Sequence, residues 1–186
     1  MCWQLLVTEI RAKKLALARL DPQGGMPILP PAGAPPAAID AVERRLGRPL
    51  PPTYREFLAQ HDGVPGFYQG ARLLGARALA RGTYAALARL YGDPERDASL
   101  FPFGLDGAAD VIFAWDLGGA ARDGEIEIVV WMNEVGERVQ SFPGFLELVL
   151  EMLDADIAER RALRARTSRP HALEAGPHAS WRVQAA

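Results

Sequence analysis

Apolar residues recur at helical spacing in two short runs in the first half of the chain. Ile39, Val42 and Leu46, then Tyr54, Phe57 and Leu58, fall at the three- and four-residue intervals that put side chains on one helical face. Gly47 supplies a left-handed stop for the first helix. Arg48-Pro49-Leu50-Pro51-Pro52 cannot continue it because proline lacks an amide donor, while Pro52 suits the first turn of the second helix. Leu50 is then an apolar peg between the two, and His61-Asp62-Gly63 gives the pair a glycine exit. Upstream, Trp3, Leu6, Ile10, Leu17 and Leu20 predict an amphipathic N-terminal helix, with Lys13 on the stripe and Val7 and Leu15 blurring it. From Pro22 to Pro36, six prolines and three glycines make an extended linker. The tethered helix offers an apolar face to a partner, but a stripe of this kind is more simply expected to pack back on its own domain.

Residues 63–70 read as a loop bearing Phe67 and Tyr68, followed by a short strand at Arg72-Leu73-Leu74 and a helix marked by Tyr84, Leu87 and Tyr91. The period then shortens to that of strands. Leu100 to Gly104, Val111 to Asp116, Glu125 to Met132 and Glu137 to Gln140 are separated by turn sequences, which predicts an antiparallel meander. In the third of these, Glu125, Glu127 and Val129 face one way and Ile126, Ile128 and Val130 the other. Ser141 is placed to cap a long helix whose stripe is Phe142, Phe145, Leu146, Val149, Leu153 and Ile157, with Arg160 to Arg166 prolonging it in polar form. The expected class is α+β, an antiparallel four- to five-stranded sheet packed against helices. Residues 1–21 form an N-terminal helix, 22–36 a proline-rich linker, 37–159 a single domain and 160–186 a basic, loose tail.

At 186 residues the chain has room for one domain with tails, and its net charge of −2 favours neither nucleic acid nor membrane as partner. The average hides a segregation. Residues 1–92 carry a net +6, residues 93–159 a net −13 and residues 160–186 a net +5. Cys2 is the one cysteine, so no intramolecular disulfide forms, which fits a reducing cytoplasm. Glu9, Arg11, Lys13 and Lys14 interrupt the only N-terminal stretch resembling a signal-peptide core. Heavy use of Ala, Arg, Gly and Pro is what GC-rich coding produces, and it hints at a bacterial source.

Candidate chemistry is sparse. His61, His171 and His178 are scattered, no Cys/His spacing resembles a zinc site, and no nucleophile elbow or phosphate loop is present. Asp106, Asp110 and Asp116 border neighbouring strands and would have to converge for hydrolytic or metal chemistry, whereas turns and strand ends recruit aspartate for backbone hydrogen bonds. The second reading is preferred, and Glu43 is likewise expected to anchor the helix pair. No cofactor, no metal and no enzymatic activity are expected. Glu125, Glu127, Glu134 and Glu137 lie on one hairpin, either as a solvated acidic face or as a surface for a basic partner. Trp115 and Trp131 are expected in the core; Phe67 and Tyr68 are candidates for core or interface.

The order of these features resembles the SUKH superfamily, the Smi/Knr cell-wall-regulator and toxin-immunity family. The resemblance rests on Glu43, Leu46-Gly47, Leu50-Pro51, Tyr54, Phe57-Leu58, Phe101-Pro102-Phe103-Gly104, Asp106, Asp110, Trp115-Asp116, the 125–132 strand and Ser141-Phe142 with Phe145-Leu146. Asp62 stands where the family more often has Asn. The similarity spans about residues 38 to 155. It implies a cytoplasmic binding protein, monomer or weak dimer, that neutralises a cognate toxin by occluding its active site. The acidic block adds the expectation of a basic partner such as a nuclease, met by Asp106, Asp110, Asp116, Glu125, Glu127, Glu134, Glu137, Phe67 and Tyr68. The alternatives are an adaptor of the Smi/Knr type and, less favoured, a carboxylate-dependent hydrolase.

Overall fold

The computed structural model describes residues 2–21, 30–82, 99–107, 110–119, 123–132 and 135–167. Helix α1 (Trp3–Leu20) comes first, then α2 (Pro36–Leu46) and α3 (Pro52–Gln60), each opened by a proline in its first turn. Gly47 closes α2 at φ +72°, a left-handed stop as its position predicts. Leu50 is buried between α2 and α3, and its amide donates to Glu43 Oε1 at 3.1 Å, which makes Glu43 the anchor of the pair.

Strands β1 (Val64–Tyr68) and β2 (Ala71–Leu73) form a hairpin turned at Gln69 and Gly70, both with positive φ. The short helix α4 (Ala76–Arg81) follows. Then come β3 (Leu100–Leu105), β4 (Val111–Asp116), β5 (Ile128–Met132), β6 (Val135–Val139) and the long helix α5 (Phe142–Thr167). The strands pair in sequence order β1 to β6, all antiparallel, in one sheet. The sheet thus has six strands, where four to five are expected. The added one is β1, whose Pro65 and Gly66 read as loop signals. Proline is tolerated because β1 is an edge strand, and Gly66 takes φ +58° at a register break. Helix α4 is also unexpected, whereas the helix anticipated around Tyr84, Leu87 and Tyr91 lies outside the described residues, as does the tail beyond Thr167. The third expected strand begins regular pairing at Ile128 rather than Glu125.

One face of the sheet carries the main core. Phe103, Phe113, Trp115, Ile128 and Val130 meet Tyr54 and Phe57 of α3 and Phe142, Phe145, Leu146 and Val149 of α5, all fully or nearly buried. Tyr54 is central. Its ring lies 4.8 Å from Trp115, 4.9 Å from Phe142 and 5.3 Å from Phe103, all edge-on, the arrangement aromatic quadrupoles favour. The second face carries Ile112 and Ala114 with Leu100 and Trp131 against them. Strand β4 is therefore buried at every position.

Helix α1 packs back on the domain. Trp3, Leu6, Val7 and Ile10 are buried, Trp3 meets Phe57 at 5.8 Å, and its indole N–H donates to Glu56 at 3.1 Å. The buried stripe continues through Lys14, not Lys13, which turns aside to pair with Asp154 of α5 and Glu9. Asp21 pairs with Arg160 at 3.2 Å. His61 sits edge-on to Trp3 and Phe57, and burial, with some help from Arg11, holds its pKa below the ordinary 6.5.

Phe57→Ala and Leu146→Ala each empty a fully buried site and are expected to lower stability in urea melts by roughly 2–5 kcal/mol; a negligible loss at both contradicts this core. For His61 the depressed folded pKa means that its stabilising packing is intact above about pH 6.5 and declines as pH falls through the lower folded value. The urea midpoint is expected to fall over that window, and His61→Gln to flatten the fall.

Candidate functional site

Helix α3 follows Pro51, which has no side-chain group to cap it. The missing acceptor comes from 72 residues downstream. Glu125 Oε1 accepts from the Thr53 amide at 3.1 Å and the Thr53 hydroxyl at 2.8 Å, while Oε2 accepts from the Phe142 amide at 3.3 Å. One carboxylate thereby caps the N-termini of α3 and α5, where helix dipoles also favour negative charge. Ser141 completes the α5 cap by accepting from the Gly144 amide at 3.3 Å. Asp62 does the same for α4 through the Ala76 amide at 2.6 Å.

On the second sheet face, Asp116 is almost buried and fully engaged. Oδ1 accepts from Ser99 Oγ at 2.9 Å and the Gly118 amide at 3.1 Å, and Oδ2 from Arg138 Nη1 at 2.9 Å. The same guanidinium also binds Glu127, and Gln140 donates to Glu127 at 3.4 Å. Burial works to raise the Asp116 pKa, but the bonds from Arg138, Ser99 and Gly118 outweigh it and hold the carboxyl below its usual range. Arg138, bound to Asp116 and Glu127, is pushed up in turn. Beside this network the half-buried Trp131 lies across β6 so closely that a Cβ on Gly136 would come within 2.9 Å of its ring.

The expected partner-binding residues do not form one surface. Asp106 serves its turn, accepting from the Val111 amide at 3.3 Å. Asp116, Glu125 and Glu127 are held by their own chain, as above. Phe67 and Tyr68, at 1 % and 3 % exposure, belong to the core. Glu137 is exposed, but its register opposite Val130 puts it on the helix-bearing face, whereas Glu127 bonds Arg138 opposite Val129 on the other. The glutamates of this hairpin therefore do not line up as one acidic row. Asp110 is exposed, and Glu134 lies outside the described residues. Among the described residues, no three or more His, Cys, Asp or Glu side chains are grouped to hold a metal ion. Sequence reasoning missed Arg138, although it is the only basic residue between Asp123 and Glu159.

A family model described as the SMI1 / KNR4 family (SUKH-1) matches residues 33–151. No curated protein matches the chain. The matched span contains both helix caps and the Asp116–Arg138 pair, and leaves out α1 and most of α5.

Loss of the Glu125 carboxylate strands two helix N-termini at once, so Glu125→Ala is expected to cost about 2–4 kcal/mol in urea melts. Glu127→Ala breaks a more exposed pair and is expected to cost about 1 kcal/mol or less. The reverse order of the two contradicts the capping role. Because the Asp116 pKa is depressed in the fold, its stabilising effect is present above its ordinary value near 3.8 and is lost as pH falls through the folded value. Asp116→Asn is expected to flatten the acid limb of the stability profile.

Proposed function

The chain belongs to the SMI1/KNR4 (SUKH-1) family, and from that premise we propose that it is a non-enzymatic binding protein, a cytoplasmic immunity protein that neutralises a cognate bacterial toxin by direct binding. The observation that carries the surface assignment is the juxtaposition of Trp131 and Arg138 on the second sheet face. Trp and Arg are the residue types that dominate interface energies, because each presents a large contact area with a polar handle and loses little entropy on docking. Here both are held in place before a partner arrives, Trp131 by Gly136, Ile112 and Ala114 and Arg138 by two carboxylates. Preorganisation lowers the cost of association.

The alternatives draw less support. An adaptor that recruits partners through α1 would need its apolar stripe, and Trp3, Leu6 and Ile10 are buried against the chain's own domain. A hydrolase would need Asp106 and Asp116 available to a substrate, and both are taken up by structural hydrogen bonds. No described helix is long and apolar enough to cross a membrane.

Co-expression with candidate toxin domains, those of any toxin gene adjoining its own first, followed by co-purification and growth rescue, tests the reading. Trp131→Ala is expected to weaken the complex by about 2 kcal/mol, roughly thirtyfold in Kd. Glu137→Lys is expected to lower the on-rate for a basic toxin and to reduce its salt dependence, with the melting midpoint shifted by only about 0.5 kcal/mol in equivalent stability. Arg166→Glu is expected to change neither. Full affinity in Trp131→Ala removes this surface from the proposal, and failure to form any complex removes the immunity reading.

A further inference from the structure

The two edges of the sheet differ. On β1 the edge is blunted by Pro65, which has no amide to donate, by the register break between Val64 and Tyr68, and by Lys14, which takes the Gly66 carbonyl oxygen. On β6 none of these devices is present. It pairs with β5 in unbroken register from Met132–Val135 to Ile128–Val139, and Gly136, Glu137 and Arg138 are exposed. Hydrogen-bonded and non-bonded pairs alternate along an antiparallel ladder, and partners as close in the chain as Met132 and Val135 are a bonded pair. Val130–Glu137 and Ile128–Val139 are then bonded in turn, while Gly136 and Arg138 stand in the non-bonded pairs. These two residues therefore turn their amides and carbonyls outward, away from β5. Among the described residues, no hydrogen bond outside the β5 ladder uses them.

The side chains decide what can pair there. In a second copy, the antiparallel register that overlaps all of β6 sets the two Glu137 side chains directly opposite each other, and like charges so placed are destabilising. A different chain meets a site of definite polarity. Asp116 and Glu127 share the Arg138 guanidinium on the second face, and Glu137 lies on the other, so three carboxylates stand around one cation. Gly136 has no side chain, and the half-buried Trp131 ring lies over it. The indole thus extends across the outermost strand, where an apolar side chain added opposite Gly136 would cover it.

We propose that β6 is a docking edge for a protein partner, which adds an antiparallel strand carrying a large apolar residue opposite Gly136, packed on Trp131, and a basic residue opposite Glu137. The inference rests on the binding-protein reading and adds how the partner is held. Main-chain bonds to Gly136 and Arg138 supply affinity, and the two side chains fix register.

The probe is a short peptide in which lysine alternates with valine around a central phenylalanine, titrated calorimetrically into the full chain. It is expected to bind with sub-millimolar Kd, and the version with glutamate for lysine at least about tenfold more weakly. The peptide's apolar residues face Gly136 and Arg138 as bonded pairs, so N-methylation of their amides is expected to abolish binding, whereas N-methylation of the lysines, whose amides point away, is tolerated. Hydrogen exchange at the Gly136 and Arg138 amides is expected to slow at least about tenfold in the bound chain. Trp131→Ala and Glu137→Lys, with folding checked by urea melts, are each expected to weaken binding at least about fivefold. No peptide binding, equal binding of the glutamate peptide, tolerance of N-methylation at the apolar residues, unchanged exchange at the two amides, or full affinity in both variants would each overturn the proposal. So would a dimer of the free chain in sedimentation equilibrium that protects the same two amides. A toxin complex in which Gly136 and Arg138 still exchange refutes the edge and leaves the immunity reading standing; peptide binding without any toxin complex does the reverse.

Discussion

The fold turns on the Glu125 carboxylate. Two helices enter the core at their N-termini, and the first of them begins Pro51-Pro52, a sequence that defines the start of a helix well and caps it badly. Unpaired amides at a half-buried helix end cost about as much as a lost hydrogen bond. Glu125 removes that cost for Thr53 and Phe142 together, from a segment just ahead of β5. It therefore ties α3, 72 residues upstream, to the start of α5 and the entry to β5. The capping geometry also sets where the helix axes cross the sheet, and hence which aromatic side chains meet.

Those aromatics meet around Tyr54. Its ring is enclosed edge-on by Phe103, Trp115 and Phe142, while its hydroxyl reaches the Leu74 carbonyl oxygen at 3.4 Å. With both helices committed to one sheet face, the other face is left to short-range devices. These are the Ile112–Ala114 strip under Trp131 and an ion pair whose acidic member, Asp116, is desolvated and multiply bonded.

Periodicity made most of the architecture legible. The helical stripes at Ile39–Leu46, Tyr54–Leu58 and Phe142–Ile157 and the alternation of Ile126, Ile128 and Val130 all emerge as buried faces. Strand β1 was hidden because Pro65 and Gly66 signal a loop locally, and only the edge position, a tertiary property, makes them compatible with pairing. The candidate site was less legible for a related reason. Alternation along one strand shows which side chains share a face, but the register between strands is needed to place Glu137 away from Glu127. The burial of Lys14 was hidden in a comparable way, since a one-residue shift in the helical stripe decides whether Lys13 or Lys14 points inward.

The charge segregation along the chain acquires a different meaning from the packing. Glu147, Glu151 and Asp154 are exposed on α5, the helix against which the basic α1 lies, and Lys13 and Arg160 tie the two together through Asp154 and Asp21. Arg138 neutralises two of the sheet's carboxylates, and helix amides take up Glu125. Four carboxylates of the acidic block are thus engaged within the chain: Asp154 by Lys13 of α1, Asp116 and Glu127 by Arg138, and Glu125 by helix amides. Against this background of matched charges Lys14 stands apart. Buried, with its ammonium on the Gly66 carbonyl oxygen and no ion pair among the described residues, it weakens the contact it sits in, and an apolar side chain there would hold α1 more firmly. The attachment of α1 to the domain is consequently less stable than its apolar stripe alone would make it.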